Sequence, residues 1–242
     1  MSARQRLFGN AQITRGAFAL LCLEVAGAAL FVFLNDAARA RFADYLIATP
    51  STVFEHARVW TLVTTTAFQI DFFKLLFNAL LLWMFVPTLE RFWGTRRFLS
   101  FAAITSVVGN ICGVTTAYLT GQLGLAFNGL DPFLYGSIVA FGIVYARQPV
   151  RFFGVLPLTG RQLMYGFIGF LVLYISLQQK WEEGVWLATA MITAALLTSK
   201  KWSPTLAWRK WRIQRARAKL TVMQGGQSKS AGKRDEKQKW LN

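Results

Sequence analysis

Residues 127–136 read Phe127-Asn128-Gly129-Leu130-Asp131-Pro132-Phe133-Leu134-Tyr135-Gly136 and open an apolar run that continues to Ala146. A polar connection containing glycine leads into it, and a single carboxylate, Asp131, stands at its entrance. An ionisable group at membrane depth costs several kcal/mol, so its presence marks a candidate functional site. The simpler reading is a helix start, with Asp131 as the cap and Pro132 in the first turn. The two readings are compatible.

Working outward, the chain has 242 residues, 54% hydrophobic and only 16% charged, with a mean hydropathy of +0.37. Soluble domains carry about a quarter charged residues. The apolar residues fall in long blocks, which indicates a polytopic membrane protein. The formal net charge of +16 sits in short connections and in the tail, as the positive-inside rule distributes it, so it does not call for nucleic acid. Cys22 and Cys112 both lie inside apolar runs and read as packing residues rather than a disulfide or metal pair. His56 is the only histidine of the chain. One histidine cannot supply a zinc ligand set, and neither a metal nor another cofactor is expected.

Six apolar runs are predicted to span the membrane as an all-α bundle: residues 16–34, 72–89, 98–119, 132–146, 163–177 and 185–198. The fourth and sixth are short for a full crossing, which suits interior helices. Glu24 lies within the first run and is expected to face other helices. Residues 35–69 mix charges with Phe42, Tyr45, Phe54 and Trp60, the pattern of a structured loop at the interface. In the third run Gly109 and Gly113 fall on one helix face and permit close helix contact. Basic residues flank the N-terminus, the second and fourth connections and the tail, while residues 120–131 contain no Lys or Arg. Both termini are therefore expected to be cytoplasmic. The first connection, with Arg39, Arg41 and Arg58 on the outer side, is the exception to that rule.

Three segments follow: a basic N-terminus (1–15), a membrane domain (16–198) and a basic tail (199–242). The tail holds 13 Lys and Arg against Asp235 and Glu236. Within it Trp208-Arg209-Lys210-Trp211-Arg212 alternates aromatic and basic residues, as a helix on an anionic leaflet does. Action of the tail on RNA or the ribosome is the alternative. Beyond Gly225-Gly226 the composition is that of a disordered segment.

Four blocks between Trp60 and Arg161 resemble the rhomboid superfamily of intramembrane serine proteases. The first is Val59-Trp60-Thr61-Leu62-Val63-Thr64, and the second is Lys74-Leu75-Leu76-Phe77-Asn78, where active members carry His-x-x-x-Asn. The third is Glu90-Arg91-Phe92-Trp93-Gly94, like the family's Glu-x-x-x-Gly turn. The fourth is Gly129-Leu130-Asp131-Pro132 with Tyr135 beyond it, where active members carry Gly-x-Ser-Gly and a tyrosine. The stretch 140–163 is also similar to the non-catalytic rhomboid-like proteins of the Golgi.

The resemblance implies the rhomboid fold, and it implies that the catalytic dyad is missing. Asp131 stands at the serine position, Pro132 at the following glycine, Lys74 at the oxyanion histidine, and residues 185–198 contain no histidine to act as base. Pro132 has no N–H to offer an oxyanion. Lys74 and Asp131 are expected to form a buried ion pair in place of the catalytic centre. The function implied is binding of transmembrane segments of client proteins without cleavage, with membrane lipids as the other partner. An active peptidase with an unusual nucleophile, such as Ser137 beside Lys74, is the alternative. Short connections suit a bacterial inner membrane, and the Golgi-like stretch leaves a Golgi- or ER-type membrane open.

Overall fold

The computed structural model describes residues 13–152 and 156–199, all within the first of two compact units, Met1–Ser203. The tail residues Trp208, Arg209, Lys210, Trp211 and Arg212 lie outside the described residues, as does most of the basic N-terminus.

The helices in chain order are Arg15–Phe33 (α1), Asp36–Leu46 (α2), Thr61–Thr64 (α3), Phe72–Trp93 (α4), Thr95–Leu119 (α5), Asp131–Val144 (α6), Gly160–Gln178 (α7) and Trp181–Thr198 (α8). Each of the six apolar runs is a helix. Of these, α1, α4, α5 and α7 are long and apolar enough to cross a membrane, whereas α6 is apolar but only 14 residues long. The all-α expectation has one exception. Pro149–Phe152 (β1) and Leu156–Thr159 (β2) form an antiparallel hairpin between α6 and α7, where Pro149 and Pro157 disfavour helix. Three helices begin earlier than the sequence predicts, α5 at Thr95, α7 at Gly160 and α8 at Trp181. At α7 a capping box of Thr159 and Gln162 begins the helix at Gly160. At α8 the acids Glu182 and Glu183 occupy the first turn, where they favour the helix dipole.

The short helix α6 is the centre of the bundle, and 11 of its 14 residues are buried. It packs on α8, α7, α4 and α5. Phe133 meets Phe98 and Phe101 from α5, and Phe141 meets Phe85 from α4, all edge-on. Small residues set the closest seams. A Cβ on Gly109 would lie 2.9 Å from Pro132 Cβ, and one on Gly113 would lie 2.8 Å from the Trp186 ring. The predicted close contact of that glycine pair is thus made to the start of α6 and to α8.

Gly27 on α1 lies tighter still. A Cβ there would stand 1.9 Å from the Ala67 carbonyl oxygen, a backbone atom that cannot swing away. Gly27→Ala is expected to lower stability by about 2–3 kcal/mol through forced displacement of α1, read as the thermal midpoint in detergent. An unchanged midpoint would mean that α1 is not held against the turn Thr65–Ala67.

The connection between α1 and α4 corrects the sequence reading. Its helix α2 has no buried residue and suits a surface position. From Ile47 onward the chain enters the bundle, where Ile47, Ala48, Thr52, Thr61, Thr65 and Gln69 are all buried. It does so to satisfy the irregular backbone leading into α6. Phe127 N–H donates to Ala48 O at 2.9 Å, Gly129 N–H donates to Thr65 O at 3.0 Å, and the Thr65 hydroxyl donates to Phe127 O. Non-helical backbone at membrane depth is tolerated only with such partners. Gly129, at φ +85°, supplies the left-handed conformation that the turn requires.

Candidate functional site

The sequence feature with which α6 opens sits against two other polar residues. Glu24 projects from the middle of α1, Asn78 from the second turn of α4, and Asp131 begins α6. Glu24 is 0% exposed and Asp131 is 7% exposed. The Asn78 amide nitrogen donates to both carboxylates, at 3.1 Å to Glu24 Oε1 and 2.7 Å to Asp131 Oδ1. Glu24 Oε1 also accepts Leu130 N–H at 3.1 Å, so α1, α4 and α6 are joined through one polar cluster. Glu24 Oε2 and Gln69 Nε2 are buried with no partner among the described residues.

This geometry replaces the helix-cap reading of Asp131. The cap residue is Leu130, without a side-chain cap bond, and Asp131 is the first helical residue. Its carboxylate accepts from the Asn78 side chain instead. The expected ion pair is also absent: among the described residues no carboxylate lies within 4.0 Å of Lys74. Lys74 is half-buried and lines the same cavity as Asp131.

That cavity, of about 300 Å³, lies between α4, α6, α7 and α8. Lys74, Asn78, Asp131, Tyr135 and Glu183 supply its polar groups, and aromatic residues make up much of the remainder. The rings of Phe85 on α4 and Phe167 on α7 approach to 6.0 Å, which closes one end. Phe73 on α4 and Phe170 on α7 also line the cavity and are 80% and 58% exposed. Both helices are long and apolar enough to cross a membrane. On the α8 side, Lys180 Nζ pairs with Glu183 at 3.1 Å, and this hydrogen bond holds the Lys180 ammonium above its usual range.

The other motif residues hold the scaffold. Glu90, at the far end of α4, accepts N–H bonds from Gly16 and Ala17 at 2.9 Å each, the Thr95 hydroxyl at 2.7 Å, and the Thr14 hydroxyl. It therefore caps α1 from another helix. Gly94 makes the α4–α5 turn at φ +80°, which explains a glycine four residues after that glutamate. Trp60 donates its indole N–H to Tyr45 O at 3.0 Å. His56 is exposed and its ring Nδ1 contacts Ser51 O, away from the cavity lining. Ser137 is 1% exposed and does not line the cavity that holds Lys74. Across α6, the α8 seam is filled by Ala190 and Ala194, packed against Gly109 and Gly136.

The sequence marks Asp131 and Asn78 as motif positions and expects Glu24 to face other helices, as it does, but names no partner for Glu24. The available signal was the pairing of three polar residues, one on each of three apolar helices, since each needs a buried partner. Gln69 was missed, and its burial depends on tertiary contacts with no local signature.

Residues 19–199 match the family described as Eukaryotic integral membrane protein (DUF1751). The chain is also 34% identical over 91 residues to "Putative rhomboid protease YdcA" of Bacillus subtilis (strain 168), a match covering 37% of this chain and 44% of that protein. The chain therefore spans less than half the length of this curated relative. With three quarters of its length inside one family, and with the rhomboid-like motifs in place along α3, α4 and α6, the chain belongs to the DUF1751 integral membrane family of the rhomboid-like superfamily.

Proposed function

We propose that this protein is a non-catalytic rhomboid-like membrane protein that binds transmembrane segments of client proteins and leaves them uncleaved. The observation that carries this reading is the cavity flanked by the exposed Phe73 of α4 and Phe170 of α7, whose wall presents Asp131 where active relatives of the superfamily hold a serine. It opens laterally to the bilayer, in this reading, as a cleft between α4 and α7. A helix entering between Phe73 and Phe170 would exchange lipid contacts for aromatic ones and meet a polar wall. Asp131 is engaged with Asn78 and cannot form a serine-type acyl-enzyme, and the α8 seam carries alanines in place of a base.

In this reading α1 and α4–α8 form six spans with both termini cytoplasmic. Residues 16–198 are the membrane domain, and the basic ends at 1–15 and 199–242 lie against anionic lipid. For the membrane itself, short connections keep the bacterial inner membrane as the reading. A Golgi- or ER-type membrane is the alternative, to which the family's eukaryotic description points.

The test incubates the reconstituted protein with a labelled transmembrane peptide and with a serine-reactive fluorophosphonate. Co-purification of a peptide of intact mass, without probe labelling, is the expected result. A shortened peptide together with labelling abolished by Ser137→Ala would establish a peptidase instead.

A further inference from the structure

We propose that the clients bound in the α4–α7 cleft are transmembrane segments carrying one lysine or arginine at the depth of Asp131. This inference rests on the client-binding reading above and specifies its ligand class. The first support is the placing of carboxyl groups around the cavity. Asp131 and Glu183 lie on the wall, and Glu24 stands behind it, joined to Asp131 through the one Asn78 nitrogen. Of these, Glu183 is already paired with Lys180, and the ammonium group on the wall is that of Lys74. Among the described residues no carboxylate lies within 4.0 Å of Lys74, so Asp131 has no close cationic partner, and a charge at membrane depth is stabilised by an opposite partner.

The second support is where the unpaired acceptor lies. Asp131 accepts from Asn78 through Oδ1 and makes no bond through Oδ2 among the described residues, although the residue lines the cavity and is more than nine-tenths buried. Glu24 Oε2, wholly buried, is unpaired behind it. The third support is the surrounding surface. Phe73, Phe77, Phe170, Tyr135, Tyr174 and Trp186 line the approach, and aromatic faces accept the cationic head of a lysine or arginine while packing its aliphatic stem. The lateral, apolar rim admits a helix from the bilayer more readily than a hydrated cation from water. Lys74 repels that cation from its own side of the cavity and so places it toward Asp131.

The test uses the full chain in phosphatidylcholine vesicles and a labelled polyleucine transmembrane peptide, with a single Lys, Glu or Leu stepped through successive positions. Energy transfer to the protein reports affinity. The Lys peptide is expected to bind about tenfold more tightly than the Leu peptide at one depth only. The Glu peptide should bind more weakly than Leu there. In Asp131→Asn the Lys and Leu peptides should bind alike. Equal binding of Lys and Leu peptides to the wild-type protein at every depth overturns the cation preference and leaves client binding standing. A Lys preference of equal size at all depths also overturns it, because that would report surface charge rather than this site. Failure of every peptide to bind, Leu included, removes the client-binding reading and this inference with it. The peptide scan is read on the wild-type chain, so the outcome does not depend on the folding of the variant.

Discussion

Glu90→Ala is expected to lower the stability of the bundle by about 3 kcal/mol, a fall of roughly 6–12 °C in thermal midpoint for a chain of this size. One carboxylate, nearly buried at 4% exposure, receives two backbone N–H groups from the first turn of α1 and two hydroxyls, from Thr14 and Thr95. Alanine leaves the Gly16 and Ala17 donors at a buried helix start with no acceptor. Their side of α1 cannot relax toward the vacated space without moving, because Gly16 already packs directly on the carboxylate, at 2.8 Å from a Cβ placed there. Glu90→Gln keeps one acceptor oxygen and should cost about half as much. Equal small losses in both variants would mean that α1 is held by its apolar face alone.

Asn78→Leu has the larger expected effect. Its amide nitrogen is the single donor between Glu24 and Asp131, and leucine leaves two buried carboxylates facing each other. Removing one partner from a buried charged cluster costs about 3–5 kcal/mol, whereas removing the whole cluster is often close to neutral. The combined variant Glu24→Leu, Asn78→Leu, Asp131→Leu should therefore be more stable than Asn78→Leu alone, despite the Leu130 N–H that loses Glu24. The measurement is the thermal midpoint of each single variant and of the triple variant. Losses that simply add would show that the three residues act independently.

Much of the fold was legible because hydrophobic blocks and breaker residues are local. All six apolar runs are helices, and α1 and α5 were placed within about three residues at each end. The errors occur where a tertiary or capping cause overrides the local pattern. Glu182 and Glu183 precede the apolar run expected from residue 185 but lie inside α8, where a first turn accepts acids. The segment from Ile47 to Gln69 looked interfacial because its polar groups are numerous. It is inserted because those groups serve the backbone around Phe127 and Gly129.

At the site, position alone distinguished Asp131, through the resemblance to the superfamily, but no sequence rule set its partner. Opposite charge suggested Lys74. Geometry gave Asn78 and Glu24, because Asn78 lies one helical turn beyond Lys74 and meets both acids from the α4 face. The difference matters for the proposed ligand, since Asn78 engages only Oδ1 of Asp131 and leaves its other carboxyl oxygen without a bond among the described residues.

The most direct test of the account places a photoreactive phenylalanine analogue at Phe77 or Phe170 in the cleft, and at Phe18 on the exposed face of α1 as the control. After illumination with a transmembrane peptide, the mass of each adduct is measured. The account predicts adducts from Phe77 and Phe170, well above those from Phe18, each with the mass of protein plus uncut peptide. Equal capture from Phe18, or adducts containing only a peptide fragment, would contradict it.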